Sequence, residues 1–196
     1  MSRQTRLRIL VSGIVVVAVV LDQLLKVYIK THFMLGEARP ITSWFWLCFV
    51  ENNGMAFGIE WFSKLALTLF RIVVVGLIGW FVHVLIRQQG DGKSVRTGYL
   101  VCLACVIAGA LGNIIDCVFY GKIWDYAGWF YGKVVDMFYF PLIHNSAGEV
   151  IFFRPVFNLA DSFITCAVIV LLIFYHRDLN ESLNGIEWRP KKSEKS

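Results

Sequence analysis

The sequence predicts an all-α membrane protein with a small β part, in which four transmembrane helices carry outer strands and a surface-lying aromatic loop. Of its 196 residues, 57% are hydrophobic and only 17% are charged. A soluble domain of this size does not bury that much apolar surface, so the bilayer is the expected solvent. Four apolar runs reach the length of a membrane span, at about residues 9–29, 65–86, 98–118 and 159–175.

The first run is interpreted as a helix that stays in the protein. Three arginines precede it, as in a secretory signal peptide. However, its apolar core continues past Leu21 to Ile29, and no small-residue cleavage site follows. We therefore expect an uncleaved first span.

Basic residues predict the orientation of the spans, because short loops rich in Lys and Arg remain in the cytoplasm. Such stretches precede the first run, connect the second to the third, and follow the fourth. Both termini are therefore predicted to be cytoplasmic, with loops 31–63 and 119–157 outside. We expect one membrane-embedded domain over residues 1–176 and a frayed polar cytoplasmic tail over 177–196. The net charge of +5 belongs to these flanks and does not indicate nucleic-acid binding.

The outer loops are rich in aromatic residues. The first contains the β-favouring stretch 41–50, followed by the turn-prone residues 51–54. The second contains eight aromatic side chains between residues 124 and 140. Aromatic rings favour the headgroup region of a bilayer. These loops are expected to lie on the membrane surface as strands or short amphipathic pieces.

Eight polar residues fall at one common depth. They are Asp22, Lys26, Asn52, Asn113, Asp116, Asp136, Asn158 and Asp161. At a rise of about 1.5 Å per helical residue, those in spans lie towards the outer ends, and the others lie in the outer loops. Residues from distant parts of the sequence are therefore predicted to meet in one layer near the outer membrane surface.

Each of these residues also has a purely structural interpretation. Asp22 and Lys26, four apart on one helix face, are compatible with a simple ion pair whose lysine reaches towards the interface. Asn158 and Asp161 suit the cap and the first turn of the fourth helix. Asn52 suits a plain turn. Taken singly, the structural and functional interpretations are equally good.

Taken together, the residues leave Asp116, Asp136 and Asp161 with few cations to neutralise them. Two close acids do not both ionise easily, so one keeps a proton while the other stays charged. Such a pair can activate water for attack on a carbonyl and protonate the leaving amine, without metal or cofactor. The motifs GxSxG and HExxH are absent from the sequence. The five scattered cysteines are interpreted as small buried residues.

Five stretches carry a family resemblance. They are DQLLK (22–26), NNGMAFG (52–58), GALGNIID (109–116), GKVVDMF (132–138) and FNLADS (157–162). In this order, and in a four-span frame, they resemble the lipoprotein signal peptidases (signal peptidase II), which are intramembrane aspartyl proteases of bacteria. Each stretch is a weak motif, but five in order across nearly the whole chain are specific.

The resemblance implies four transmembrane helices with a β-rich cradle and a helix outside, in the bacterial cytoplasmic (inner) membrane. It implies cleavage of diacylglyceryl-modified prolipoproteins just before the lipidated Cys, near the periplasmic face. Membrane lipids are the other expected partners, and no obligate protein partner is implied. The catalytic pair would be Asp136 and Asp161. The supporting or substrate-binding residues would be Asp22, Lys26, Asn52, Gly54, Asn113, Asp116, Asn158 and Ala160.

Two departures from the family pattern stand out. Cys117 follows Asp116 where the family usually has Arg, and the segments between the three acids are longer than usual. Arg71, in the second span, is a candidate replacement for the missing cation. One interpretation has it reaching lipid headgroups, and the other has it paired with Asp116 or with the catalytic pair.

Two other classes remain as alternatives. A small transporter or channel subunit would use the acids as a proton or cation site, but four spans without an internal repeat do not favour it. A metal-dependent enzyme acting on lipid headgroups would use the acids to hold magnesium. Activity in excess chelator separates that enzyme from an aspartyl protease.

Overall fold

Long apolar helices dominate the computed structural model, which describes residues 1–53, 64–89, 95–144, 150–152 and 155–185. Within these ranges three helical segments are long and apolar enough to cross a membrane: Arg3–His32 (α1), Lys64–Gln88 (α2) and Thr97–Ile123. The third comprises α3 (Thr97–Ile115), a π-helical turn (Asp116–Tyr120) and the single turn α4 (Gly121–Ile123). A fourth apolar helix, α5 (Leu159–Phe174), bends by 84° into α6 (His176–Gly185). The described chain therefore has three spans, or four if this bent pair counts as one.

All four predicted spans coincide with helices. The first grows most, because Ser2 caps α1 with its side chain by accepting a hydrogen bond from the backbone N–H of Thr5 at 3.1 Å. The third continues past its predicted end through the π-helical turn. In the described part of the outer loops, no helix separate from the third segment corresponds to the outer helix that the resemblance implies.

The prediction of a frayed tail from residue 177 is wrong for residues 177–185, which belong to α6. This helix packs back on the helical core. Arg96 pairs with Asp178 at 3.2 Å, and the hydroxyls of Ser182 and the buried Tyr99 lie 3.1 Å apart. Polar contacts with α3 and the segment before it therefore order a stretch that composition alone describes as a tail.

The outer strands predicted from β-favouring residues are present. In the described residues β1 (Ala38–Pro40), β2 (Trp46–Asn52) and β3 (Val134–Tyr139) form an antiparallel sheet in the order β1-β2-β3. Two further short strands, β4 (Ile143–His144) and β5 (Val150–Phe152), pair with each other. Strand β3 comes from the second outer loop, so the sheet joins the two outer loops across the ends of the helices.

Two apolar cores leave a polar layer between them. The larger core packs residues of α1, α2, α3 and α5, and Leu7 and Val11 are its contributions from α1. The smaller joins Ile29 and Phe33, at the other end of α1, to the sheet. Between these two sets the buried residues of α1 include charged ones. The fold thus places buried polar groups where the helical core meets the sheet.

Candidate active site

Asp136 is a buried residue of β3 whose carboxylate accepts two side-chain hydrogen bonds. Asn52 Nδ2 donates to Oδ2 at 3.1 Å, and Asn158 Nδ2 donates to Oδ1 at 2.6 Å. The register of β2 and β3 explains the first contact. Val50 lies opposite Asp136, so Asn52 is the diagonal neighbour on the same face of the sheet. Burial, together with the neighbouring Asp161 carboxylate, raises the pKa of Asp136 to about 7.

Asp161 lies in the first turn of α5 as part of a capping box. Asn158 Oδ1 accepts from the backbone N–H of Asp161 at 2.9 Å, and Asp161 Oδ2 accepts from the backbone N–H of Asn158 at 3.3 Å. The other carboxylate oxygen, Oδ1, accepts from Asn113 Nδ2 at 2.8 Å. The capping interpretation is therefore correct. The Asp161 side chain remains partly exposed while it caps α5 and contacts Asn113.

Asn158 connects the two acids. Its side-chain oxygen caps α5 at Asp161, while its Nδ2 donates to Asp136 and, at 3.2 Å, to Asn113 Oδ1. The residue is fully buried, and both its Nδ2 donors and its Oδ1 acceptor have partners within the protein. One amide thereby holds Asp136 and Asp161 on either side of itself.

Lys26 is the cation of this layer. Its ammonium pairs with Asp22 at 2.9 Å and Asp116 at 2.7 Å, and donates to Asn113 Oδ1 at 2.9 Å. The three donors of the ammonium are thus all used in a fully buried position. The sequence predicts few cations for Asp116, Asp136 and Asp161 together, and Asp116 does have one, because Lys26 reaches both Asp22 and Asp116 from α1. Asp116 also accepts weakly from the backbone N–H of Val135, at 3.4 Å.

Gln23, from the DQLLK stretch, is a further network residue that was not among the predicted site residues. Its Nε2 lies within hydrogen-bond distance of Asp22 Oδ2 (3.2 Å), the Gly112 carbonyl (3.1 Å) and Asp116 Oδ1 (2.9 Å). Its Oε1 accepts from the Tyr120 hydroxyl at 3.1 Å. An uncharged polar residue between an acid and a lysine in an apolar run was the available signal.

Ala160 and Gly112 allow α3 and α5 to approach α1 closely. The backbone N–H of Ala160 donates to Asp22 Oδ1 at 2.9 Å. A Cβ on Gly112 would lie 2.6 Å from Asp22 Oδ2 and 3.2 Å from the Ala160 side chain. These small residues therefore let the Asp22 carboxylate fit between α1, α3 and α5. The predicted site residue Ala160 thus lies at this contact between helices.

Asp116 pairs with Lys26, and Arg71 reaches the next residue in the chain. Arg71 Nη1 lies 3.5 Å from Cys117 Sγ, at the position where the family usually has Arg. The pairing of Arg71 with Asp116 or with the catalytic pair stays a prediction. Gly54, also predicted to support the site, lies outside the described residues.

One connected network thus contains nine predicted residues. They are Asp22, Lys26, Asn52, Asn113, Asp116, Asp136, Asn158, Ala160 and Asp161. Amide donors surround two acids, and a separate buried ion cluster supports them. In the described residues, no group of three or more His, Cys, Asp or Glu side chains is arranged to hold a metal ion. The arrangement suits proton transfer between paired carboxylates.

Comparisons with known proteins give a consistent result. Residues 14–177 match the family model described as signal peptidase (SPase) II. The chain is 40% identical to a lipoprotein signal peptidase of Porphyromonas gingivalis, over 92% of this chain and 89% of that protein. It is 34% identical to a lipoprotein signal peptidase of Amoebophilus asiaticus, over 89% and 81% of the two chains.

The fold is similar to that of a solved bacterial membrane enzyme. The TM-score is 0.63 at 26% sequence identity, and the match covers 92% of this chain and 94% of the other. The family model covers most of the sequence, and both relatives exceed 30% identity over most of their length. The chain therefore belongs to the signal peptidase II family.

Proposed function

We propose that this protein removes the signal peptide from diacylglyceryl-modified prolipoproteins by aspartyl-type hydrolysis, cleaving just before the lipidated Cys. Family membership and the name of its relatives, lipoprotein signal peptidase, support the substrate. One structural observation carries the chemistry: the carboxylates of Asp136 and Asp161 both accept hydrogen bonds from Asn158, Asp136 from its side-chain Nδ2 and Asp161 from its backbone N–H.

The two acids have different environments, and this difference supports their roles. Asp136 is 3% exposed and its pKa is raised to about 7, so it is the member that holds a proton near neutral pH. Asp161 is partly exposed at the start of α5, so it is the member that water reaches. We assign Asp161 as the base and Asp136 as the acid of the first step.

The proton transfers balance as follows. Water attacks the scissile carbonyl carbon and gives a proton to Asp161, while Asp136 protonates the carbonyl oxygen. In the resulting tetrahedral intermediate, Asp161 returns its proton to the amide nitrogen, and the C–N bond breaks. The new carboxylic acid forms as one hydroxyl gives its proton back to Asp136. The lipidated Cys leaves with a free amino group, and both acids regain their starting states.

Other network residues orient the pair. Asn113 is fixed by Lys26, whose ammonium donates to its Oδ1 and leaves its Nδ2 to donate to Asp161. Asn52 and Asn158 fix Asp136 in the same way from two sides. Because buried ammonium and carboxylate groups are costly unless paired, the Asp22–Lys26–Asp116 cluster keeps this support rigid. Gly54 stays a prediction.

The position of the network suggests the side of the membrane on which it works. The acids lie at the end of α3 and the start of α5, beside the outer sheet, and the positive-inside pattern places that end outside. A substrate whose acyl chains insert in the outer leaflet presents its scissile bond at this depth. We therefore propose the bacterial cytoplasmic membrane, with both termini of the chain in the cytoplasm and the site near the periplasmic face.

Cleavage of a lipidated substrate by the purified protein tests this function. A diacylglyceryl-modified prolipoprotein should be shortened, and an unmodified copy should be cut far more slowly, since acyl-chain binding helps to position the carbonyl. Equal turnover of both forms would instead indicate a general membrane protease. No turnover of either would favour the transporter or channel alternative. Loss of activity in excess chelator would favour a metal-dependent enzyme.

A further inference from the structure

A second ion cluster, which is partly buried, lies outside the candidate active site. We call it the Glu51 cluster; it consists of Glu51 from β2, Lys30 from α1 and Lys133 from the loop before β3. Glu51 Oε1 pairs with Lys30, and Glu51 Oε2 pairs with Lys133 Nζ at 3.1 Å. The side chains of Lys30 and Glu51 are each only 10% exposed. Three elements far apart in sequence therefore meet on one carboxylate.

Aromatic rings enclose the Lys30 end of the cluster. The ammonium lies 5.3 Å from the centroid of Phe49, 5.5 Å from that of Trp124 and 5.0 Å from that of Tyr126. Such distances suit cation–π attraction, which gains strength where water is excluded. Trp124 and Tyr126 belong to the outer loop, so Lys30 fixes this loop against the end of α1.

The outer loop is also tied directly to the start of β3. The Tyr126 hydroxyl accepts from the backbone N–H of Lys133 at 2.7 Å. Lys133 precedes β3 by one residue and closes the ion pair with Glu51. The loop, the two strands and α1 are therefore joined through adjacent contacts.

The cluster sits next to the contact that orients Asp136. Glu51 precedes Asn52, the last residue of β2, and Asn52 Nδ2 donates to Asp136 Oδ2. In the ladder Glu51 lies opposite Val135 and Asn52 lies opposite Val134. The end of a strand loses pairing easily unless side chains hold it, and Glu51 is the side chain that holds this end.

A second ion pair, at the start of β1, is more exposed, although its Arg39 guanidinium also lies over an aromatic ring, that of Phe33, at 4.1 Å. Glu37 precedes β1, and its pair with Arg39 is exposed, with 49% of the Arg39 side chain and 31% of the Glu37 side chain accessible. Burial by itself disfavours the charged form of Glu51, but hydrogen bonds from Lys30 and Lys133 outweigh it and lower the pKa of Glu51. The Glu51 cluster therefore stays ionised at neutral pH and resists solvent, whereas the Glu37 pair is a surface contact.

We propose that Glu51 is a positioning residue for the cleavage reaction: held by Lys30 and Lys133, it keeps Asn52 on Asp136 and couples the outer loop to the catalytic pair. This inference rests on the proposed function and extends it to residues that touch neither acid. Their contribution is to hold the donor that sets where the Asp136 carboxylate points.

A double-mutant cycle between Glu51→Gln and Asn52→Ala tests the proposal on the lipidated substrate. If Glu51 acts through Asn52, Glu51→Gln lowers kcat about tenfold in the otherwise wild-type protein, with KM little changed. The same change made in the Asn52→Ala background then lowers kcat less than about twofold, because the contact it supports is already gone. If Glu51→Gln lowered kcat by the same factor in both backgrounds, the two residues would act independently and the proposal would be overturned.

The pH profile separates positioning from a simple charge effect. Loss of the Asn52 donor disfavours ionised Asp136, so activity should persist to higher pH in Glu51→Gln. Removal of the Glu51 charge alone would favour ionised Asp136, and activity would fall at lower pH. A shift to lower pH, or no shift, contradicts the proposal. If Glu51→Gln does not accumulate, Glu51→Asp keeps the charge and serves in the same cycle.

Glu37→Gln is the matched control, since it removes a carboxylate of the same sheet that is exposed. It should leave kcat and the pH profile within about twofold of wild type. Equal losses in both variants would show that any damage to the sheet lowers activity, and would overturn the role given to Glu51. Wild-type protein that cleaves neither substrate would count against the proposed function alone. In that case the unfolding temperature of the same variants, measured as a function of pH, still reports the pH at which Asp136 loses its proton.

Discussion

Lys26 and Lys30 lie one helical turn apart on α1, and their side chains are 0% and 10% exposed, yet their surroundings differ. Lys26 has two carboxylates and a side-chain amide oxygen around its ammonium. Lys30 has one carboxylate and three aromatic rings. The first lysine neutralises an excess of negative charge within the helices, and the second shares one negative charge with Lys133 at the sheet.

The comparison teaches that each lysine supports a different acid. From Lys26 the contacts run through Asn113 to Asp161, entirely between helices. From Lys30 they run through Glu51 and its neighbour Asn52 to Asp136, on the sheet. One face of α1 thus supports both Asp161, which lies on a helix, and Asp136, which lies on the sheet.

The largest effect is expected at the two acids themselves. Asp136→Asn or Asp161→Asn should each reduce cleavage of the lipidated substrate about a thousandfold or more, because an amide neither accepts nor returns the proton. Asp125→Asn, an exposed loop position with positive φ that Asn also tolerates, is the control and should remain active. Near wild-type cleavage by either variant, at equal membrane level, would remove that residue from the pair.

The two lysines should differ in what their loss does to stability. Lys26→Met leaves Asp22 and Asp116 buried without their cation and should destabilise the protein by about 3–5 kcal/mol. Lys30→Met leaves Glu51 with Lys133 and should cost on the order of 1 kcal/mol. Thermal unfolding in detergent, with the exposed Lys122→Met as control, measures both. A larger loss of stability for Lys30→Met than for Lys26→Met would contradict this expectation.

Arg71 supplies a further cation, next to Cys117. Because its guanidinium lies beside Cys117, Arg71→Leu should reduce activity about tenfold, and Cys117→Arg added to it should restore a good part. Phe70→Leu, at an exposed neighbouring position, is the control. Activity on one lipidated substrate, corrected for protein level, is the measurement. A double variant no better than Arg71→Leu would mean that Arg71 does not replace the missing Arg.

The smallest effect is expected in the pH dependence. The raised pKa of Asp136, about 7, means that the protonated form is lost as pH rises through this value, so kcat/KM should fall above about pH 7. Asn52→Ala removes a donor that favours the ionised form, so the pKa should rise and the fall should move about half a unit higher. Asn53→Ala, next in sequence, should leave it in place. A fall that moves to lower pH in Asn52→Ala would be the opposite of this expectation.

The helices and the layer of polar residues were predictable from the sequence for simple reasons. Apolar runs report span length directly, and the rise per residue converts position into depth. Asp22 and Lys26 are four apart, so their pairing follows from helix geometry. The capping role of Asn158 follows from its place before an apolar run.

Contacts between elements were not predictable, because depth carries no information about which faces meet. The sequence does not report that Lys26 of α1 reaches Asp116 at the end of α3. Arg71 was left open between lipid headgroups and a carboxylate, and its guanidinium lies 3.5 Å from Cys117 Sγ. The pairing of β2 with β3 joins stretches more than eighty residues apart in sequence, for example Asn52 and Val134, so no local pattern reports its register.

The brevity of α5 has a consequence for the surrounding lipid. Its 16 residues extend about 24 Å, less than the roughly 30 Å of a typical hydrocarbon core. Hydrophobic mismatch of this kind is relieved when the bilayer thins beside the short helix. With the proposed orientation, thinning at the start of α5 would bring the headgroups and their water closer to Asp161. The acyl-chain length of the surrounding lipid would then affect how readily water reaches the proposed base.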